Sequence, residues 1–458
     1  MITAGIVAEY NPFHNGHKYH IEKTKEETGA DTIVAVMSGN FLQRGIPALA
    51  DKWERAEAAC RCGADLVLEL PFLYAVNDAS VFARGAVGIL EKLGCIDFIS
   101  FGSESEDIGI LRNIAHFFAG ETPEFREKLQ EELKKGLSFP KARAEAAGYC
   151  LGKEAREILA SPNNILAVEY LKQLEIRKSE IKPFALKRMG GYFDRSLVSG
   201  GRAAAAQAAE AKMITEGRDA ASSGTKAGAT LQDETLKNES VRFASAAAIR
   251  EKLLETGEPA AIAADVPHEC FQVLQRIDSN FKHTLNDFRQ LVSGTVFRST
   301  QEEISQIYAC EEGLENRITD AVRKSSSVTQ LLNNVITKRY TATRIQRLFL
   351  QLVVGMKRDT VKNALDSDVI ISRVLAANER GRELLRRAKK EELMRFPLVT
   401  SCGRNFEKVP LEQLSESERI SALELLRLDA AASDIYNLVY GKDLFANSDF
   451  VRKPFMLY

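Results

Sequence analysis

Thr-Ala-Gly-Ile-Val-Ala-Glu-Tyr-Asn-Pro-Phe-His-Asn-Gly-His, residues 3–17, is the segment that decides how this chain reads. An apolar run at Ile2–Ala8 reads as a buried strand. It ends in a polar turn, and a helical pattern follows at His17–Glu27. The turn holds His14-Asn15-Gly16-His17. Glycine lets the backbone approach a ligand where a Cβ would collide. A helix N-terminus offers unpaired N–H groups and partial positive charge, which suits phosphate. Two histidines flanking that point can both donate to charge growing on a phosphoryl oxygen. Three of the 6 histidines lie between positions 14 and 20, which speaks against chance capping or surface histidines. A metal reading of His14, His17 and His20 is the rival, since His17 and His20 share a helix face. No Cys, Asp or Glu completes a recognisable ligand spacing nearby, so the metal set reads as none. No P-loop pattern is present.

Working outward, strand and helix signals alternate. Thr32–Met37 reads as a strand, Lys52–Cys62 as a helix, Asp65–Leu70 as a strand, Ala79–Leu93 as a helix and Cys95–Ser100 as a fourth strand. Short apolar runs separated by helices argue a parallel sheet of βαβ units, with ligands beyond the carboxyl ends of the strands. Ser161-Pro162-Asn163-Asn164 reads as a helix start, and Lys182–Arg188 as a further strand. The expected fold class is α/β: a Rossmann-like parallel-sheet domain over 1–195, a mainly helical region over 241–365 and a small α/β part over 366–458. Residues 196–240, rich in Ala, Gly, Ser and Thr, read as a flexible low-complexity insertion. In the last part VIISRVLAA and PLVTS carry strand signals around a charged helix, Glu379–Arg395, and Glu416–Tyr440 is helical.

With 458 residues, 45% hydrophobic and 27% charged, the chain can bury a large core, so a collagen or a disulfide mini-scaffold is excluded. No stretch approaches the roughly 18 to 20 apolar residues of a membrane span. No basic n-region precedes the first apolar run, so a secretory signal is not expected. The 7 cysteines form no framework and fit a reducing cytoplasm. Cys60 and Cys62 read as two helix-borne thiols with no shared role. A net charge of -1 announces no nucleic-acid partner, so any such surface must be local. One local patch exists. No Asp or Glu occurs from Ala321 to Arg358, a stretch that includes Lys338, Arg339, Tyr340, Arg344 and Arg347. Basic side chains beside an aromatic suit a phosphate backbone with an unstacked base.

The strand, the His-x-Gly-His turn and the βα units resemble the nucleotidyltransferase superfamily. A partner motif of that superfamily is approached by Ala244-Ser245-Ala246-Ala247-Ala248-Ile249-Arg250, with alanine at its second hydroxyl position. In this resemblance Arg250 neutralises the leaving pyrophosphate. EYNPFHNGH, VMSGNFLQRG (36–45), DLVLELPFLYA (65–75), FGSE (101–104), SPNNILAVEY (161–170) and KRYTATRIQR (338–347) together resemble the bacterial tRNA(Met) cytidine acetate ligase family. The resemblance implies ATP-dependent activation of acetate and acetyl transfer to the wobble cytidine of elongator tRNA(Met). It implies catalytic roles for His14 and His17. It places ATP on Val7, Ala8, Glu9, Tyr10, Asn11, Pro12, Phe13, His14, Asn15, Gly16, His17, Lys18, Tyr19 and His20, with Gly102, Asn163 and Arg188. Mg²⁺ is expected to bridge the outer phosphates. Ser38-Gly39 and Gln43-Arg44 follow the second strand, and could position acetate or the acyl phosphate there. Two other readings remain: adenylation of a small phosphorylated metabolite, and a non-catalytic RNA-binding protein.

Overall fold

The computed structural model describes residues 1–105, 107–187, 243–276, 284–311 and 313–458. Arg188 and the 196–240 stretch lie outside the described residues. The strands are β1 (Thr3–Ala8), β2 (Thr32–Ser38), β3 (Leu66–Leu70), β4 (Phe98–Ser103), β5 (Lys182–Lys187), β6 (Ser372–Ala377), β7 (Leu398–Val399) and β8 (Phe455–Met456). They form one sheet in the order β5-β4-β1-β2-β3-β6-β7, with β8 also on β6. β1 to β5 run parallel, and β6 enters antiparallel against β3.

β2 shows why the run Thr32–Ser38 reads as continuous rather than alternating. Every residue in it is buried. Ile33, Ala35 and Met37 join the core on one face, and Val34 and Val36 join the core on the other. A strand's side chains alternate between faces, so a strand covered on both sides needs apolar residues throughout. One face is covered by helices Lys52–Arg61, Ala246–Thr256 and His268–Gln275. The other carries Ala79–Leu93, Pro162–Ile176 and Glu416–Val439. A third core ties together helices Thr284–Arg298, Leu314–Lys324, Val328–Val335 and Ala342–Val354.

Helix bounds shift from the sequence expectation, with the first helix starting at Asn15 and the charged one ending at Lys390, and two further differences concern the sheet. The fourth strand starts at Phe98 rather than Cys95, because Cys95 follows directly on the left-handed Gly94 that ends the preceding helix. The 366–458 part contributes its strands to the N-terminal sheet. β6 pairs with β3, and Ser372 Oγ donates to the Glu69 carbonyl 303 positions away.

Candidate active site

β1 has β2 on one side and β4 on the other: the chain runs outward through β2 and β3, then returns to add β4 and β5 on the opposite side of β1. That is a topological switch point, where the strand ends part and leave room for a ligand. A cleft of ≈ 1780 Å³ opens there. The ends of β1 and β4, the first turn of the Asn15–Thr28 helix and the loop Leu42–Arg44 line it.

His14 is the N-cap of that helix. Its Nδ1 accepts the Gly16 N–H at 3.0 Å, and His17 Nδ1 accepts the His14 N–H at 3.2 Å. The two imidazoles stack with centroids 3.7 Å apart. A neutral imidazole whose Nδ1 accepts must carry its proton on Nε2. The reciprocal cap therefore fixes both tautomers, with Nε2–H as the donor on each ring. Gly16 is required here, since a Cβ would lie 2.9 Å from the His14 ring. Below the pair, Phe13 and Tyr10 pack against His17 at centroid distances of 5.5 and 4.9 Å. His20 does something else. Its Nε2 meets Ser100 Oγ at 2.8 Å, and Ser100 meets Thr24, which braces the helix on β4. With both Nδ1 atoms taken by backbone donors and His20 turned to Ser100, the three rings do not converge on a metal. Among the described residues no group of three His, Cys, Asp or Glu side chains is placed to hold one.

Of the residues expected at ATP, the cleft is lined by Val7, Ala8, Glu9, Tyr10, Asn11, His14, Gly16, His17, Tyr19, His20, Gly102 and Asn163. Pro12, Phe13, Asn15 and Lys18 do not line it. Phe13 is core, and Asn15 Nδ2 is spent on the Ala264 carbonyl at 2.9 Å. Asn163 donates to Glu104 Oε1 at 2.6 Å. The neighbouring Asn164, which the sequence reading passed over, is the buried organiser of the loop after β4. Its Oδ1 accepts Ser103 Oγ at 2.8 Å and the Glu104 N–H at 3.0 Å. Arg250 reaches the turn from the side, with Nη1 on the Asn11 carbonyl at 2.6 Å, and Ser245 caps its helix. Burial lowers the Arg250 pKa below the usual arginine range. Gln43 and Arg44 line the cleft, but Ser38 and Gly39 do not.

The reason for that last placement is Arg55, a residue without a sequence signal. It is buried, and four of its five N–H donors serve backbone carbonyls. Nη1 donates to Glu9 O at 2.6 Å, Nε to Ala50 O at 3.0 Å, and Nη2 to Ser38 O at 3.1 Å and to Gly39 O. Arg55 thus ties the end of β1 to the end of β2. Glu9 completes the tie by accepting the Gln43 N–H at 2.8 Å.

The basic stretch meets the same cleft. Arg339, Arg344 and Arg347 line it, while Lys338 and Tyr340 do not. Tyr340 lies just before the Ala342–Val354 helix, and its ring takes the Arg344 and Arg339 guanidiniums at 5.1 and 5.4 Å. Arg347 lies deeper, with Nη1 3.3 Å from the Gln43 carbonyl, and burial pulls its pKa down. A Cβ on Gly45, at φ 75°, would strike the backbone of Gln346 and Arg347, so helix and mouth touch directly. The stretch is acid-free in sequence but not in space, because Glu311 folds onto Arg339 and Arg344.

A parallel sheet with paired histidines capping the first helix at its switch point defines a nucleotidyl transferase, and the HIGH Nucleotidyl Transferase family model matches residues 1–227 and 225–449. A tRNA(Met) cytidine acetate ligase of Caldicellulosiruptor saccharolyticus is 41% identical over 96% of this chain and 94% of its own length. One from a Thermoanaerobacter species is 35% identical over 98% of each. The crystal structure of Thermotoga maritima TmcAL bound with alpha-thio ATP superposes with a TM-score of 0.82 at 32% identity, covering 100% of both chains. The chain belongs to the tRNA(Met) cytidine acetate ligase family of HIGH nucleotidyl transferases.

Proposed function

We propose that this chain activates acetate with ATP and transfers the acetyl group to the wobble cytidine of elongator tRNA(Met), forming N(4)-acetylcytidine. The observation that carries the reading is the mutual cap of His14 and His17, which presents two Nε2–H donors at a helix N-terminus beside the switch point. Acetate attacks the α-phosphorus of ATP and pyrophosphate leaves. The two Nε2–H donors and the helix N-terminus stabilise charge on the phosphoryl oxygens, and their fixed tautomers need no rearrangement as it grows. Arg250 and Arg44 supply positive charge on the same side of the mouth, where guanidinium pairs with phosphate or carboxylate in two-point geometry.

The cytidine amine then attacks the acyl carbon, the bond to AMP breaks, and the amine gives up a proton. That amine is a poor nucleophile because its lone pair is delocalised into the ring, so the acyl group must arrive activated. The mixed anhydride hydrolyses readily, which favours a site that keeps water out. In this reading the tRNA lies along Arg339, Arg344 and Arg347, which reach the cleft that also holds the histidines. Magnesium, if it accompanies ATP, would supply neutralisation of phosphate charge, and no group of three His, Cys, Asp or Glu side chains among the described residues is placed to hold it. No helix among the described residues is long and apolar enough to cross a membrane. In this reading the protein works where its tRNA substrate is, in the cytoplasm.

The test is incubation with ATP, radiolabelled acetate and bulk tRNA, followed by digestion to nucleosides. Label in N(4)-acetylcytidine is expected. Acetate-dependent pyrophosphate exchange without labelled nucleoside would overturn the acceptor assignment and keep the adenylation step.

A further inference from the structure

Glu311 belongs to no motif, yet it is the hub of the basic face. Arg344 Nη2 reaches its Oε1 at 2.5 Å, Arg339 Nη2 its Oε2 at 3.4 Å, and the Tyr340 hydroxyl donates to Oε2 at 3.2 Å. The Tyr340 ring in turn lies against both guanidiniums. The backbone behind Glu311 is fixed, since Gln351 Oε1 accepts the Ala309 N–H at 3.0 Å and Arg358 donates to the Cys310 carbonyl. The carboxylate itself is reachable, with 42% of the side chain exposed, and Arg339 is 69% exposed. A negative group with two oxygens is therefore held by two guanidiniums and a phenol beside a stackable ring. A phosphodiester next to an unstacked base would ask for the same partners.

We propose that Glu311 is an internal competitor for RNA phosphate: it occupies Arg339 and Arg344 until a phosphodiester of the bound tRNA displaces it. The proposal rests on the reading of this face as the tRNA-binding surface. The Arg339 pair is exposed and the Arg344 pair partly so, with the Arg344 side chain 26% exposed; such pairs are weak enough to be exchanged in this way, and the cost of exchanging them lowers affinity for every RNA that uses the face. Affinity is thereby held down, so that an RNA needs further contacts in the cleft to stay bound.

The test is a titration of wild type, Glu311→Gln and Glu311→Ser with elongator tRNA(Met) at several salt concentrations, with thermal melts as the folding control. Loss of the carboxylate is expected to tighten binding about two- to fivefold, the size of an exposed pair. The salt dependence should steepen by about one ion, because the freed guanidiniums become available to neutralise phosphate. Binding that weakens or stays unchanged in both folded variants would overturn the proposal and leave Glu311 as a strut. Arg344→Gln separates this from failure of the underlying reading. Weaker tRNA binding in that variant keeps the face and isolates the fault in Glu311. Binding equal to wild type in a folded Arg344→Gln protein would overturn the RNA face itself, and the proposal with it.

Discussion

Lys52 and Arg55 stand one turn apart on the same helix, both are buried, and they are satisfied by opposite means. Lys52 Nζ meets Glu69 at 2.7 Å and Asp449 at 2.7 Å, and Arg373 shares both carboxylates at 3.4 Å. Two cations and two anions cancel there, and the cluster stitches the residues around Asp449 to the sheet. Arg55 has no carboxylate at ion-pair distance among the described residues. Its partners are carbonyls at the ends of β1 and β2. Carbonyls satisfy its donors but bring no formal charge, and arginine stays protonated even when buried. Charge cancelled by charge holds a fold together. Charge whose donors are met by dipoles, with the carboxylates of Asp51, Glu9 and Glu69 acting only through space, fixes strand ends instead, here those behind the mouth where a triphosphate would bind.

Breaking the first arrangement should have the largest effect. Lys52→Met strands Glu69 and Asp449 with Arg373 alone, and urea denaturation should show a loss of about 3–5 kcal/mol. Next comes the histidine cap. His14→Asn keeps a side-chain acceptor for the backbone but removes the Nε2–H donor. Acetate-dependent pyrophosphate exchange should fall by about 10²–10³, with a melting temperature close to wild type. If exchange survives, the donor role is wrong.

The second arrangement is probed by Arg55→Lys. An ammonium keeps the charge but has only three donors for four carbonyls and lacks the planar fork. The expected result is a rise in the KM for ATP of about tenfold, worth about 1.4 kcal/mol, with a smaller change in kcat. Loss of stability with an unchanged KM would place Arg55 in the same class as Lys52 and end the contrast.

The smallest effect concerns Asp429, which accepts the Phe72 N–H at 2.6 Å beside the Lys52 cluster. Burial, with the Glu69 carboxylate second, pushes its pKa up to about 8. The folded protein therefore holds this proton more tightly than the unfolded chain. Its contribution to stability is fully present below the ordinary carboxylate range and is lost as pH rises towards about 8. Asp429→Asn keeps the acceptor without the titration. Its gain over wild type should be greater at pH about 8 than at pH about 5, read from denaturation midpoints.

These contrasts also mark where the sequence was readable. The run Thr32–Met37 and the turn His14–His17 were legible because strand burial and a helix N-terminus are local events. The helix Lys52–Cys62 was legible as a helix, but its charged residues look like a solvated face. Only the arrival of Asp449 and Arg373 turns Lys52 inward, and only the strand ends turn Arg55 inward. The antiparallel entry of β6 was invisible for the same reason, since its partner Leu66–Leu68 is remote in sequence. Of the site expectations, His14 and His17 came from the turn itself and Gly102 and Asn163 from the family resemblance, and all four line the cleft. Asn164, Arg55 and Glu311 did not, because each acts through backbone or side-chain partners that only the fold supplies. The acid-free stretch shows the converse: a pattern true along the chain can be answered by one residue from outside it.

The pairing of β6 with β3 has a consequence for synthesis on the ribosome. β1 to β4 emerge early, yet the exposed edge of β3 has no neighbour until residues 372–377 have left the exit tunnel. β6 in turn receives β8 only after 455–456. Until β6 arrives the nascent chain carries an unpaired strand edge, apolar but for Glu69, the kind of surface that invites sticking to other chains. Residues 372–377 close that edge, so a chain halted before residue 372 would have its histidine turn in place and its sheet still open.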